Sequence, residues 1–304
     1  MTRIALVTAI AAAGVDDDLA PLLDACAHAG LAVQVRAWDD PTVGWSRFDA
    51  AILRSPWDYT QRLEEFLSWC RRVSSQTRLV NPLRVIEWNT DKHYLADLAA
   101  RDVPVVPTVF VEPDAEPLPA LQAFLAAHPD AMELVVKPSV GAGSKDAQRY
   151  GRSQEFAAAN HLARLLDADR SAMLQPYLSS VDEQGETALM FFAGAFSHAI
   201  RKGALLRPDA NAAEPLFAAE SIAPRVPAQD ELALADRVLA AARDTLQLRE
   251  APLYARVDLI RDNAGTPCLL ELELCEPSLF FAHAPGSAER FASLLARTLG
   301  KVAA

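Results

Sequence analysis

The sequence predicts an α/β fold that turns α+β toward its C-terminal part, and three observations carry that prediction. Over the first 80 or so residues, continuous apolar runs alternate with helical stretches, as in a parallel sheet covered on both faces. From about residue 90 the rhythm changes to Pro-punctuated strands and then to strand pairs that read as antiparallel. Of the 304 residues, 51% are hydrophobic, enough for a sizeable core with no one-sided composition.

The elements follow in order. "RIALVTA" (Arg3–Ala9) is a buried parallel strand, and Asp18–Gly30 is a helix closed by its glycine. "AVQVRAW" and "FDAAILRSP" are the next strands, the latter stopped by Pro56. Thr60–Val73 has Leu63, Phe66, Leu67 and Val73 at helical spacing, and "RLVNP" is a short fourth strand. Ligands of such sheets sit beyond the carboxyl ends of the strands. "RSPWDY" and "VNPLRV" begin at two of those ends, so Arg54 reads either as a ligand contact or as a surface arginine in a tight turn.

After Thr90 come a helix (Asp91–Arg101), the strand "VPVVPTVFVEP", a helix around Leu118–His128 and the strand "ELVVKPS". The loop "VGAGSKD" leads to a helix (Ser153–Leu166), the strand "AMLQPYL" and the pair "ETALMFFAG" and "AFSHAIRK". Residues 203–227 are proline-rich without periodicity and read as a loop. A helix (Gln229–Leu246) precedes a hairpin of "LYARVDLIRD" and "PCLLELELCE", and Ser287–Leu299 is a last helix.

A formal net charge of −11 argues against a general nucleic-acid binder, which needs a basic surface. Cys26, Cys70, Cys268 and Cys275 form no Cys-x-x-Cys pair and read as reduced, buried thiols. No apolar run is long enough to span a membrane. The Ala-rich start is read as a first strand rather than a signal peptide, which makes the expected setting cytoplasmic.

The chemistry concentrates in the hairpin. Leu and Glu alternate from Leu270 to Leu274, so Glu271 and Glu273 share one face of a strand that is otherwise core. Asp258 lies on the neighbouring strand. Unpaired buried carboxylates are costly, so such groups are paired or hold a cation; the oxygens suit Mg²⁺ on nucleotide phosphates. Taken alone, the hairpin also fits an exposed sheet face with ordinary charges.

Glu271 and Glu273 follow Asp258 by 13 and 15 residues, and Arg256 stands two before it. This resembles the Arg-x-Asp and Glu-x-Asn signature of ATP-grasp ligases, with Glu273 in place of the Asn. The resemblance implies an ATP-grasp fold after an N-terminal parallel α/β pre-grasp domain: residues 1–88 pre-grasp, 89–180 central subdomain, 181–304 the C-terminal subdomain with the metal site. It implies ATP and two Mg²⁺, with Mn²⁺ able to substitute, held by Asp258, Glu271 and Glu273, and Arg256 against the transferred phosphate.

Other stretches are similar to the family in order. "NTDKHYL" gives the first ATP lysine, Lys92, and "ELVVKPSVGAGS" gives the second, Lys137, before a phosphate-covering loop with Gly143 and Ser144. "MLQPYL" looks like the adenine hinge, Gln175, Pro176, Tyr177 and Leu178. Asp182, Glu183 and Glu186 are all in reach of the ribose, with Glu186 preferred. Lys202, or Arg201 beside it, would stand near the phosphates as a catalytic cation, and His198 is expected to pack rather than catalyse.

Within the family, "LRSPWDY", "NPLRVIEWNTDKHYL" and "ELELCEPSLFF" look like the cyclo-ligase that closes O-ureido-D-serine to D-cycloserine through an acylphosphate. That likeness implies a small amino-acid-like substrate facing Arg54, Glu276 and Ser278, with residues 203–227 as a lid. The alternatives are an intermolecular carboxylate–amine ligase and a non-catalytic ATP-binding protein. Whether the chain forms a homodimer stays open.

Overall fold

The computed structural model describes residues 2–206 and 221–299. The first unit runs β1 (Arg3–Thr8), α1 (Leu19–His28), β2 (Ala32–Ala37), β3 (Ala50–Ser55), α2 (Leu63–Ser74) and β4 (Arg78–Val80). Its four strands form a parallel sheet in the order β2-β1-β3-β4. The strands that read as continuous apolar runs, β1 and β3, lie in the middle, and β3 is buried from end to end. On one face Phe66, Trp69, Cys70 and Val73 of α2 pack against Leu53 and Val7.

Two short helices follow, α3 (Leu83–Asn89) and α4 (Tyr94–Ala99). The first was not foreseen, and the predicted 91–101 helix is reduced to the second. Pro82 explains the first: it cannot pair in a sheet, but its fixed φ suits a helix start, and α3 begins at the next residue. The second unit comprises β5 (Val109–Val111), α5 (Pro117–Ala127), β6 (Glu133–Pro138), β7 (Gln148–Gly151), α6 (Glu155–Asp167) and β8 (Ala172–Pro176). Its sheet is antiparallel in the order β5-β8-β6-β7, backed by α5 and α6. The long strand expected from Val103 shrinks to β5, because Pro104 and Pro107 have no N–H for a ladder. Between them Val105 makes only a single bridge to Leu269.

The third unit holds α7 (Ser180–Gln184), β9 (Glu186–Phe192), β10 (Ala195–Lys202), β11 (Ile222–Arg225), α8 (Gln229–Thr245), β12 (Tyr254–Arg261), β13 (Pro267–Glu273) and α9 (Ser287–Leu299). The order β11-β10-β9-β12-β13 is antiparallel throughout. β11 lies inside the segment expected to be a loop; β10 supplies an unpaired edge for it, which periodicity in the segment itself could not reveal. Residues 207–220, the middle of the expected lid, lie outside the described residues.

Buried amides and hydroxyls fix β12 and β13 against the preceding elements. Asn81 donates to the carbonyls of Tyr254 (3.0 Å) and Leu274 (2.8 Å) and accepts from Leu253 N (2.7 Å). Asn89 donates to Leu272 O (2.8 Å) and accepts from Leu274 N (2.6 Å). The Tyr94 hydroxyl accepts from Leu272 N (2.9 Å), and the Tyr254 hydroxyl lies within reach of the Leu53, Val80 and Cys275 carbonyls. Every one of these groups is buried, so each bond lost leaves a polar partner out of water.

Candidate active site

β12 and β13 pair in a register that sets Asp258 opposite Glu271 and Arg256 opposite Glu273. Carboxylate oxygens of Asp258, Glu271 and Glu273 all lie within 4.8 Å of one another. Such a set of hard oxygen donors fits a divalent cation such as Mg²⁺. Three cations stand against it. Lys202 Nζ is 2.7 Å from Asp258 and 3.0 Å from Glu186; Lys92 Nζ is 3.0 Å from Glu271. Arg256 is shared between Asp258 (2.9 Å from Nε) and Glu273.

The electrostatics follow from these pairings. Burial would raise Asp258, but Arg256 and Lys202 bring it below the ordinary carboxylate range. Burial likewise opposes Glu271, and Lys92 and Lys137 lower it. Glu273 goes the other way, to about 8: burial and the Glu271 and Asp258 charges outweigh an Arg256 that is divided between two acids. Burial would lower Lys92, yet Glu271 first, then Glu273 and Glu276, raise it. Lys137 drops to about 8 because burial, with Lys92 and Lys202 nearby, exceeds the pull of Glu271. It is half-buried and has no hydrogen-bond or ion-pair partner among the described residues.

Two pockets meet at this cluster. The first is lined by Lys92, Lys137, the 141–145 loop, Gln175–Leu178, Glu186 and Lys202, with Val106, Val135, Ile260 and Leu270 as apolar walls. The hinge, both lysines and Gly143 and Ser144 therefore line one cleft. Of the three ribose candidates only Glu186 lines it. Gly185 makes this possible: its φ is +69°, and a Cβ there would come within 2.3 Å of the Lys202 carbonyl, so the chain turns into β9 with Glu186 opposite Lys202. Asp182 is instead spent on Arg149 (3.1 Å) and the Tyr177 hydroxyl (2.5 Å), under a guanidinium stacked 3.6 Å over the Tyr177 ring. Arg201 donates to the Gln184 and Glu183 carbonyls, so of the two neighbours it is Lys202 that lines the cleft. His198 donates from Nε2 to Leu279 O (2.8 Å) and packs beside Phe192, away from both pockets.

The second pocket shares Lys92, Gly141–Gly143, Arg256, Glu271 and Glu273 with the first and adds Asp16, Asp17, Asp18, Trp57, Tyr59, Glu276, Ser278, Phe280 and His283. Glu276 and Ser278 are where the sequence puts them. Glu276 is raised by burial and faces the Tyr59 hydroxyl and the Cys275 thiol. Arg54 is corrected: it is fully buried, lines neither pocket and meets the Asp18 carboxylate at 3.5 Å. Its strand end does reach the pocket, but through Trp57 and Tyr59, because a strand's alternation turns Arg54 into the sheet face behind. The aspartates 16–18 were missed. The only cue was an acidic run at the start of the first helix, which solvent-exposed helices also carry.

Comparison with known proteins agrees with this layout. The family of D-cycloserine synthetase DcsG N-terminal domains matches residues 4–81. A curated relative, the cycloserine biosynthesis protein DcsG of Streptomyces lavendulae, is 47% identical over 299 residues, 98% of this chain and 99% of its own. The chain belongs to the DcsG family. The crystal structure of D-cycloserine synthetase DcsG superposes with a TM-score of 0.93 at 46% identity, covering 98% of this chain and 99% of that one. D-alanine–D-alanine ligase from Bacillus anthracis, solved with ATP, matches over 99% and 98% of the two chains with a TM-score of 0.64 at 15% identity, so DcsG-family chains have the ATP-grasp fold.

Proposed function

We propose that this chain is an ATP-dependent ligase that closes the ring of O-ureido-D-serine to D-cycloserine through an acylphosphate. One observation carries the reading: Glu271, Glu273, Arg256 and Lys92 line both pockets, so a nucleotide phosphate in one and a substrate carboxylate in the other would meet at a single wall. The DcsG relatives, similar over almost the whole chain and named for cycloserine synthesis, support the product, and O-ureido-D-serine is the substrate that the likeness noted in the sequence implies.

In this reading Lys92, Lys137 and Lys202 hold the phosphates as point charges and the 141–145 loop covers them. Gln175–Leu178 take adenine and Glu186 takes the ribose. Asp258, Glu271 and Glu273 would hold two Mg²⁺, exchangeable with Mn²⁺, which supply charge neutralisation to the transferring phosphoryl group. Arg256 orients the substrate carboxylate toward that group, and Glu276 with Ser278 holds the amino-acid end. The γ-phosphoryl passes to the carboxylate with release of ADP. The oxygen-bound nitrogen of the ureido group then attacks the acyl carbon, phosphate leaves, and the carbamoyl part is lost to water. Shielding the acylphosphate from water until the ring forms would keep it from hydrolysing. The partition at residues 88 and 180, a cytoplasmic setting and the absence of a nucleic-acid partner belong to the same proposal; no described helix is long and apolar enough to cross a membrane.

The test is ATP, Mg²⁺ and O-ureido-D-serine with no added amine, with ADP and cycloserine both measured. ADP that forms only once a second amino acid is supplied would mean an intermolecular ligase.

A further inference from the structure

The peptide Ser278–Phe281 is held from three directions. Arg256 Nη1 donates to the Ser278 carbonyl (3.3 Å). His198 Nε2 donates to the Leu279 carbonyl (2.8 Å). Asp18 accepts from three successive amides, Leu279 (2.6 Å), Phe280 (3.1 Å) and Phe281 (2.8 Å). Successive N–H groups turned to one point form an anion-binding nest, and here the anion is a side chain from the first unit. Phe280 has φ +52°, a left-handed conformation that a bulky residue keeps only where its surroundings dictate it. Ser278, Phe280 and Asp18 all line the second pocket.

Behind Asp18 stands Arg54, 0% exposed, with Asp18 as its ion-pair partner and with Nε and Nη1 lacking any hydrogen-bond partner among the described residues. A buried guanidinium with donors unspent costs stability, and an apolar side chain would fill the space at lower cost. The arrangement therefore calls for a role that a plain strut does not have.

We propose that Asp18 and Arg54 are a positioning pair for the amino-acid substrate. The Arg54 charge sets the Asp18 carboxylate, Asp18 sets the 279–281 amides, and these present Ser278 and Phe280 to the substrate beside Arg256. Neither Asp18 nor Arg54 lines the nucleotide cleft, so the pair acts on one substrate and not on the other. The identity of that substrate rests on the proposed function; the clamp does not.

The experiment compares wild type with Asp18→Asn, Arg54→Met and Arg54→Lys. Steady-state kinetics with O-ureido-D-serine and MgATP are expected to give about a tenfold or larger rise in KM for the amino acid in the first two variants, with KM for ATP within about twofold. Arg54→Lys, which keeps the charge, recovers part of the loss. Equal movement of both KM values, or a lower melting temperature with both unchanged, overturns the proposal. Should wild type fail to turn over O-ureido-D-serine, the substrate reading has failed and the clamp is read separately. Hydrogen exchange at the 279–281 amides then has to speed up in Asp18→Asn and Arg54→Met while affinity for a non-hydrolysable ATP analogue holds. Unchanged exchange, or lost analogue binding, overturns the pair.

Discussion

The two pockets share a wall and differ in sign. Around the nucleotide cleft stand Lys92, Lys137, Lys145, Lys202 and Arg256 against Glu186, Glu271 and Glu273. Around the second pocket stand Asp16, Asp17, Asp18, Glu271, Glu273 and Glu276 against Lys92 and Arg256. A cationic cleft suits phosphates, and an acidic one suits a substrate that brings an ammonium group out of water. The shared residues are the ones that carry both signs. On the proposed function, the difference means that the reacting end of each substrate is handled in common, while recognition of the remainder is divided between the two pockets.

Exchanging Glu271 for Gln strikes the shared wall and is expected to have the largest effect, a loss of roughly 10²- to 10³-fold in ADP release with the fold intact by circular dichroism. A variant within tenfold of wild type would remove Glu271 from the proposed metal set. Lys137→Ala strikes the nucleotide side alone. Losing the charge partner of a desolvated phosphate should weaken ATP-analogue binding by about 2–4 kcal/mol in calorimetry and leave amino-acid affinity nearly unchanged.

The same lysine predicts a pH dependence. Its ammonium is lowered to about 8 in the nucleotide-free protein, and bound phosphate favours the charged form. Binding below pH 8 meets a lysine that is already charged, whereas binding above pH 8 must take up a proton. Affinity for the analogue should therefore fall as pH rises through 8, at most tenfold per unit, and Lys137→Arg should flatten the curve. A flat wild-type curve would contradict this account.

On the acidic side, Glu276→Gln should raise KM for the amino acid by about 10- to 100-fold with little change for ATP. Parallel changes in both would mean that the two pockets are not separable. The smallest effect is expected from Glu273→Asn, which restores the residue that ATP-grasp ligases usually carry there. Arg256 is freed of one acid and an oxygen donor remains, so the Mg²⁺ concentration for half-maximal activity should move only a few-fold.

How much of this was legible depended on distance along the chain. That Asp258, Glu271 and Glu273 come together was readable because the three acids lie on one hairpin, where period two and a fixed register turn spacing into geometry. That Lys92, Lys137 and residues 175–178 line one cleft was readable in the same way, each lying beside the strand or loop that aims it. Arg54 was misplaced because a residue at a strand end faces the ligand crevice or the sheet face according to its register, and only the packed sheet settles which. Glu186 was preferred over Asp182 from the sequence, but the physical reason, that Arg149, 33 residues before Asp182, occupies the latter, lay in the packing.

The sequence by itself determined the alternation of elements, the apolar strands and the acidic hairpin, because these depend on neighbours a few residues apart. The tertiary structure alone decided that Asp18 would cap a nest 261 residues away, that β11 would find the edge of β10, and that two pockets would share one wall. The reason is physical: a hydrogen bond or ion pair between distant segments depends on where packing brings their ends, and no local periodicity encodes that position.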